Sequence, residues 1–105
     1  MTFTLLYITH SNELEAQRIV HHLLSDRLIA CANIFPIQSA YWWQEAIQQD
    51  AEWVSILKTS RQRAAAAAAE AERIHPYDTP CIIQLEVQAN AAYVQWIEDM
   101  VSDKR

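Results

Sequence analysis

The chain has 105 residues, of which 51% are apolar, and a formal net charge of −5, which fits one domain with its own core, expected over residues 1–105. The few Lys and Arg are scattered, and neutralising phosphates takes clustered basic side chains, so a nucleic-acid partner is not expected. Glycine is absent, which excludes Gly-rich phosphate cradles and dinucleotide fingerprints.

The N-terminus, MTFTLLYIT, has no basic n-region and no cleavage pattern. It reads as a strand rather than a secretory signal, so a cytoplasmic setting and free thiols at Cys31 and Cys81 are expected. No run approaches the ~18 apolar residues of a membrane span. Residues 3–9 are β-prone, and Leu5, Leu6, Tyr7 and Ile8 in succession predict burial on both faces of a central strand. Asn12 and Glu15 have the spacing of a capping box. Ala16, Ile19, Val20, Leu23 and Leu24 then form one helical stripe, ending near Asp26.

Residues 28–35 predict a second strand. Pro36 interrupts it, which calls for a bulge or an edge position. The strand resumes over 37–43, the polar stretch 44–50 holds a turn, and 53–59 returns as a third strand, giving a long hairpin. Residues 61–74 predict a helix rich in Ala, the strongest helix former. Pro76 ends it and Pro80 opens a fourth strand with period-two alternation. Asn90 is placed to cap a last helix carrying Tyr93, Trp96, Ile97, Met100 and Val101 on one stripe. The order β-α-β-β-α-β plus a C-terminal helix is the ferredoxin-like α+β plan, an antiparallel sheet with helices on one face.

Three features carry candidate chemistry. The segment His-Pro-Tyr-Asp-Thr-Pro at 75–80 is either a rigid loop presenting His75, Tyr77 and Asp78, or a helix-stop and strand-start connector. Tyr41, Trp42, Trp43 and Trp53 put large aromatics on both faces of the hairpin. They suit a subunit interface or ligand pocket, or else they pack on the last helix through Trp96. Metal chemistry has thin support. The histidines at 10, 21, 22 and 75 include no helical i, i+4 pair, there is no Cys-x-x-Cys, and a strand-borne Cys31 reads first as a small hydrophobe. Catalysis has less: Cys31 or Cys81 with His75 could form a nucleophile pair, without any local signature.

In its order and spacing the chain resembles the CutA family of divalent-cation-tolerance proteins. The residues that carry the resemblance are Ala30-Cys31-Ala32-Asn33-Ile34 with Pro36, Tyr41-Trp42-Trp43, Glu52 with Ile56-Leu57-Lys58-Thr59, and the 75–80 motif. The aromatic C-terminal helix with Tyr93 and Trp96 also fits. The resemblance implies a ferredoxin-like protomer in a homotrimer, similar to nitrogen-regulatory signalling trimers. It implies a link to tolerance of copper and other divalent cations, and a metal-response or signalling role without enzymatic activity. It places a ligand pocket for a metal ion or small anion at Trp43, Glu52, Lys58, His75 and Tyr77, while the hairpin aromatics themselves point to an interface at Tyr41, Trp42 and Trp53. No cofactor is required, but a divalent metal such as copper would use Cys31 and His75.

Ile8 and Ile74 stand where some members carry Cys and a second His, so such binding is expected to be weak. Glu45 stands where Gly is frequent, which predicts a different hairpin turn. The alternatives are a small Cys/His enzyme and a purely structural trimer that anchors a partner.

Overall fold

In the computed structural model, residues 1–102 are described. The last three positions of the expected domain lie outside them. Seven elements follow in order: β1 (Thr2–His10), α1 (Glu13–Ser25), β2 (Cys31–Trp43), β3 (Ala46–Thr59), α2 (Ala64–Ile74), β4 (Ile82–Gln88) and α3 (Ala91–Val101). The strands form one antiparallel sheet in the order β2-β3-β1-β4. This is the expected α+β plan with a ferredoxin-like strand order.

Local chemistry explains the boundaries. Asn12 Oδ1 accepts the Glu15 N–H at 2.9 Å and starts α1 as the capping pattern requires. At the other end, Leu28 N–H donates to the Leu23 carbonyl and Arg27 N–H to the Leu24 carbonyl, both at 3.0 Å. That pair of bonds is a Schellman closure, which puts its penultimate residue in the left-handed region. With no glycine to use, the chain places Arg27 there at φ 58°. Helix α2 begins at Ala64, later than expected, because residues 61–63 form a turn closed by Arg63 N–H to the Ser60 carbonyl.

The hairpin is longer and tighter than the polar stretch suggested. Strand β3 starts at Ala46, and only Gln44 and Glu45 form the turn, at φ 50° and 64°. Two successive positive φ values are what a two-residue turn between twisted strands demands. Glu45 therefore takes up the left-handed backbone that glycine adopts most readily. Pro36 pairs with Trp53 in unbroken register on an edge strand; the edge position, not a bulge, accommodates its missing N–H.

The sheet faces two cores. Leu6 and Ile8 pack with Ile19, Val20, Leu23, Leu57, Ala67 and Ala71 under α1 and α2. Phe3, with Leu5 and Val87 beside it, packs against Val94 and Ile97 of α3. Neighbouring strand residues point to opposite faces, so α3 covers the side away from α1 and α2. This corrects the one-sided arrangement and accounts for the unbroken apolar run in β1. The Asn90 side chain makes no cap bond. Instead, Arg63 Nε and Arg27 Nη1 donate to the Val101 and Met100 carbonyls at 3.0 and 2.9 Å, tying down the C-terminal end of α3.

Candidate functional site

The 75–80 loop leaves α2 at His75 and crosses toward the middle of the long hairpin. His75 is fixed by both ring nitrogens. Nε2 lies 2.8 Å from the Thr9 carbonyl, which only accepts, and Nδ1 accepts the Tyr77 N–H at 3.1 Å. These contacts define a neutral ring with its proton on Nε2. Tyr77 packs edge-on against His75 at 4.6 Å and donates its hydroxyl to Glu52 Oε2 at 2.9 Å. Burial, then the Glu52 hydrogen bond, pushes the Tyr77 phenol well up from its ordinary value, so it stays a donor. Loop and strand are thus joined at His75, Tyr77 and Glu52.

Lys58 lies elsewhere. It is six residues along β3 from Glu52, roughly 20 Å at about 3.3 Å per residue. Its ammonium donates to the Tyr93 hydroxyl at 3.2 Å and lies 5.4 Å from that ring's centroid. Cys31, the cross-strand partner of Lys58, has its Sγ 3.4 Å from the same hydroxyl. The Tyr93 phenol is raised, first by that contact with Cys31 and then by burial. Trp43 lies at the hairpin tip opposite Ala46. The five expected pocket positions therefore divide into three places within one protomer: the loop cluster, the Lys58 cluster and the tip.

The two expected metal positions also separate. Cys31 belongs to the Lys58–Tyr93 group, and His75 has both nitrogens in use. Among the described residues, three metal-type donors come together at His22, Asp26 and Glu70, on the outer faces of α1 and α2. Arg73 takes both Glu70 oxygens at 2.8 and 2.7 Å, which makes this group an ion-pair network. The His22–Asp26 pair was visible as i, i+4 spacing, but the long-range Glu70 was not.

Sequence reasoning missed His10 as well. Its side chain is fully buried and its ring is stacked on His75 at 5.5 Å and 16°. A lone histidine at a strand end gives no spacing signal. Trp96 stacks on Tyr93 at 5.8 Å, and among the described residues no aromatic pair joins it to Tyr41, Trp42, Trp43 or Trp53. Trp42 is 72% exposed and Ile47 64%, and on β4 Leu85 is 50% exposed. Tyr41 is also exposed and bonds to Asp50, while Trp53 is half-buried.

The family model for the CutA1 divalent ion tolerance protein matches residues 4–100. The chain belongs to the CutA1 family. Its relatives include the divalent-cation tolerance protein CutA of Thermotoga maritima, 42% identical over 98 residues, 92% of this chain and 97% of that protein. The crystal structure of the CutA1 divalent ion tolerance protein from Ehrlichia chaffeensis superposes with a TM-score of 0.92 at 41% identity, covering 95% of each chain. A CutA from Archaeoglobus fulgidus, described as a periplasmic divalent cation tolerance protein, gives 0.91 at 36% identity, covering 97% of this chain and all of that one. CutA1 proteins are thus named for cation tolerance and not for a reaction, and their setting is not uniformly cytoplasmic. Among the described residues, no helix is long and apolar enough to cross a membrane.

Proposed function

We propose that the chain acts as a homotrimeric, non-enzymatic module in divalent-cation tolerance, with copper as the first cation to test and the cytoplasm as its setting. The observation that carries this is the bare apolar surface of the protomer. The hairpin of 13- and 14-residue strands projects Trp42, Trp43 and Ile47 into solvent, while Ile83 and Leu85 lie open on β4 and Trp96 on α3. Apolar faces of this kind are normally covered by a partner. A second copy is the economical one, because it covers one exposed face with another and leaves no free sheet edge.

Assembly also bears on the ligand site. Trp43, Glu52 and Lys58 are spread along the hairpin, so a pocket using all the expected positions, with His75 and Tyr77, needs a neighbouring copy to close it. A metal-response or signalling role follows naturally from a site assembled at a subunit boundary.

The test is growth of cells lacking the gene on raised copper. Sensitivity that is restored by the natural chain, and not by an oligomer-breaking Leu85→Lys chain, supports the reading. Growth indistinguishable from the parent across divalent cations contradicts it.

A further inference from the structure

Helices α1 and α2 meet on the protomer surface through three side chains that all carry metal-type donors. His22, in the last turn of α1, and Asp26, its C-cap, stand four residues apart and share a face. Glu70 reaches them from α2. The Asp26 N–H donates to the His22 carbonyl at 3.2 Å, which fixes the two relative to each other. His22 Nε2 lies 2.7 Å from Glu70 Oε2 and 3.4 Å from Asp26 Oδ2. The donor atoms of all three lie within 4.8 Å of one another.

The ion pairs leave this group short of positive charge. One ring nitrogen carries one proton or one lone pair, so Nε2 serves a single carboxylate and the second is left facing it. Arg73 neutralises Glu70, donating from Nε and Nη2 to its two oxygens at 2.8 and 2.7 Å. Among the described residues, Asp26 has His22 as its one ion-pair partner. Its carboxylate also stands at the C-terminal end of α1, where the helix carbonyls favour a cation over an anion. Two carboxylates and the negative end of a helix thus converge on one imidazole.

We propose that His22, Asp26 and Glu70 form a binding site for a first-row divalent cation of the zinc class, joining α1 to α2. The donor set decides the class. Calcium and magnesium take oxygen ligands, so an imidazole disfavours them, and Cu(I) prefers sulfur. Zinc takes imidazole nitrogen and carboxylate oxygen at about 2.0–2.2 Å in a tetrahedron, which sets its ligands about 3.3 Å apart. The His22–Asp26 contact already has that spacing, at 3.4 Å, and the 2.7 Å His22–Glu70 contact opens slightly to admit the ion. The ring proton then rests on Nδ1, the Nε2 lone pair goes to the metal, and water fills the fourth position. Arg73 is the competitor for Glu70. Its side chain is 66% exposed, so it exchanges the carboxylate for water at little cost. All three donors belong to one protomer and none is an expected pocket position, so the site rests neither on assembly nor on the tolerance reading.

The experiment is calorimetric titration of zinc chloride into the metal-stripped intact protein at about pH 7.5, with far-UV circular dichroism to confirm the fold of each variant. The expected result is one equivalent per chain with a dissociation constant of about 10 µM. His22→Ala and Glu70→Gln should each weaken binding by about tenfold or more, while His21→Ala and Cys31→Ser leave it unchanged. Arg73→Gln should tighten it severalfold, because it removes the competing cation. Zinc binding that is absent at about 1 mM, that survives both His22→Ala and Glu70→Gln, or that is lost with Cys31→Ser would overturn the site.

Discussion

The Tyr77 hydroxyl donates to Glu52 across 2.9 Å, joining a loop that follows α2 to the middle of a hairpin strand. Together with the His75 contacts, this bond fixes the Tyr77 side chain in the candidate site.

Tyr77→Phe keeps the ring against His75 and removes the bond. A hydrogen bond to a charged group at a part-buried site contributes about 1.5 kcal/mol, so chemical denaturation should show a loss of that order. Glu52→Gln retains an acceptor and should lose less. Equal losses for the two variants would show that a neutral acceptor does not sustain the bond, and no loss for Glu52→Gln would show that the carboxylate charge plays no part.

The pH dependence of stability follows from His10. Its imidazole is held at about 4 in the fold against 6.5 in the unfolded chain, so the unfolded chain binds the extra proton between those values. Stability is complete above the upper value and declines as pH falls toward the lower one, by at most about 3 kcal/mol. Urea midpoints measured across this window should fall with acid, and His10→Phe should flatten the slope.

Much of the fold was legible because local signals agreed with tertiary structure. The Asn12–Glu15 cap, the α1 stripe and the proline brackets of the loop all appear where the residues put them. The start of β3 was hidden because Gln48, Gln49 and Asp50 lack an alternating pattern, and a hairpin arm standing clear of the protomer core needs none. The crossing of α3 to the opposite face was implicit in β1, whose apolar run needs a cover on each side. In the site, Glu52 and Tyr77 meet as strand phase and loop rigidity suggested. Lys58 shares the phase of Glu52 but not its neighbourhood, since phase fixes a face and leaves distance along the strand open. The His10–His75 stack joins residues far apart in sequence and leaves no local trace.

The glycine-free turns offer a direct stability test. Gln44 and Glu45 both sit at positive φ, where a residue with a Cβ costs roughly 1 kcal/mol or more. Replacing the pair by Asn-Gly should stabilise the chain by about 1 kcal/mol or more without altering register. A lower denaturation midpoint would show that these side chains make compensating contacts.

Copper binding through Cys31 or His75 should be weak. The Lys58 ammonium bonds to the same hydroxyl as Cys31, and His75 has no free nitrogen. Tight sites converge three or four supported ligands, so calorimetry should give dissociation constants of about micromolar or weaker. One nanomolar equivalent per chain, abolished by Cys31→Ser, would contradict this.

In solution, copies of the same chain are expected to cover the exposed hairpin and β4 surfaces. Light scattering coupled to size exclusion at about 10 µM chain tests it directly, because assembly responds to concentration. The predicted mass is about 36 kDa, that of three 12.1 kDa chains. A mass of 12.1 kDa at that concentration would contradict it.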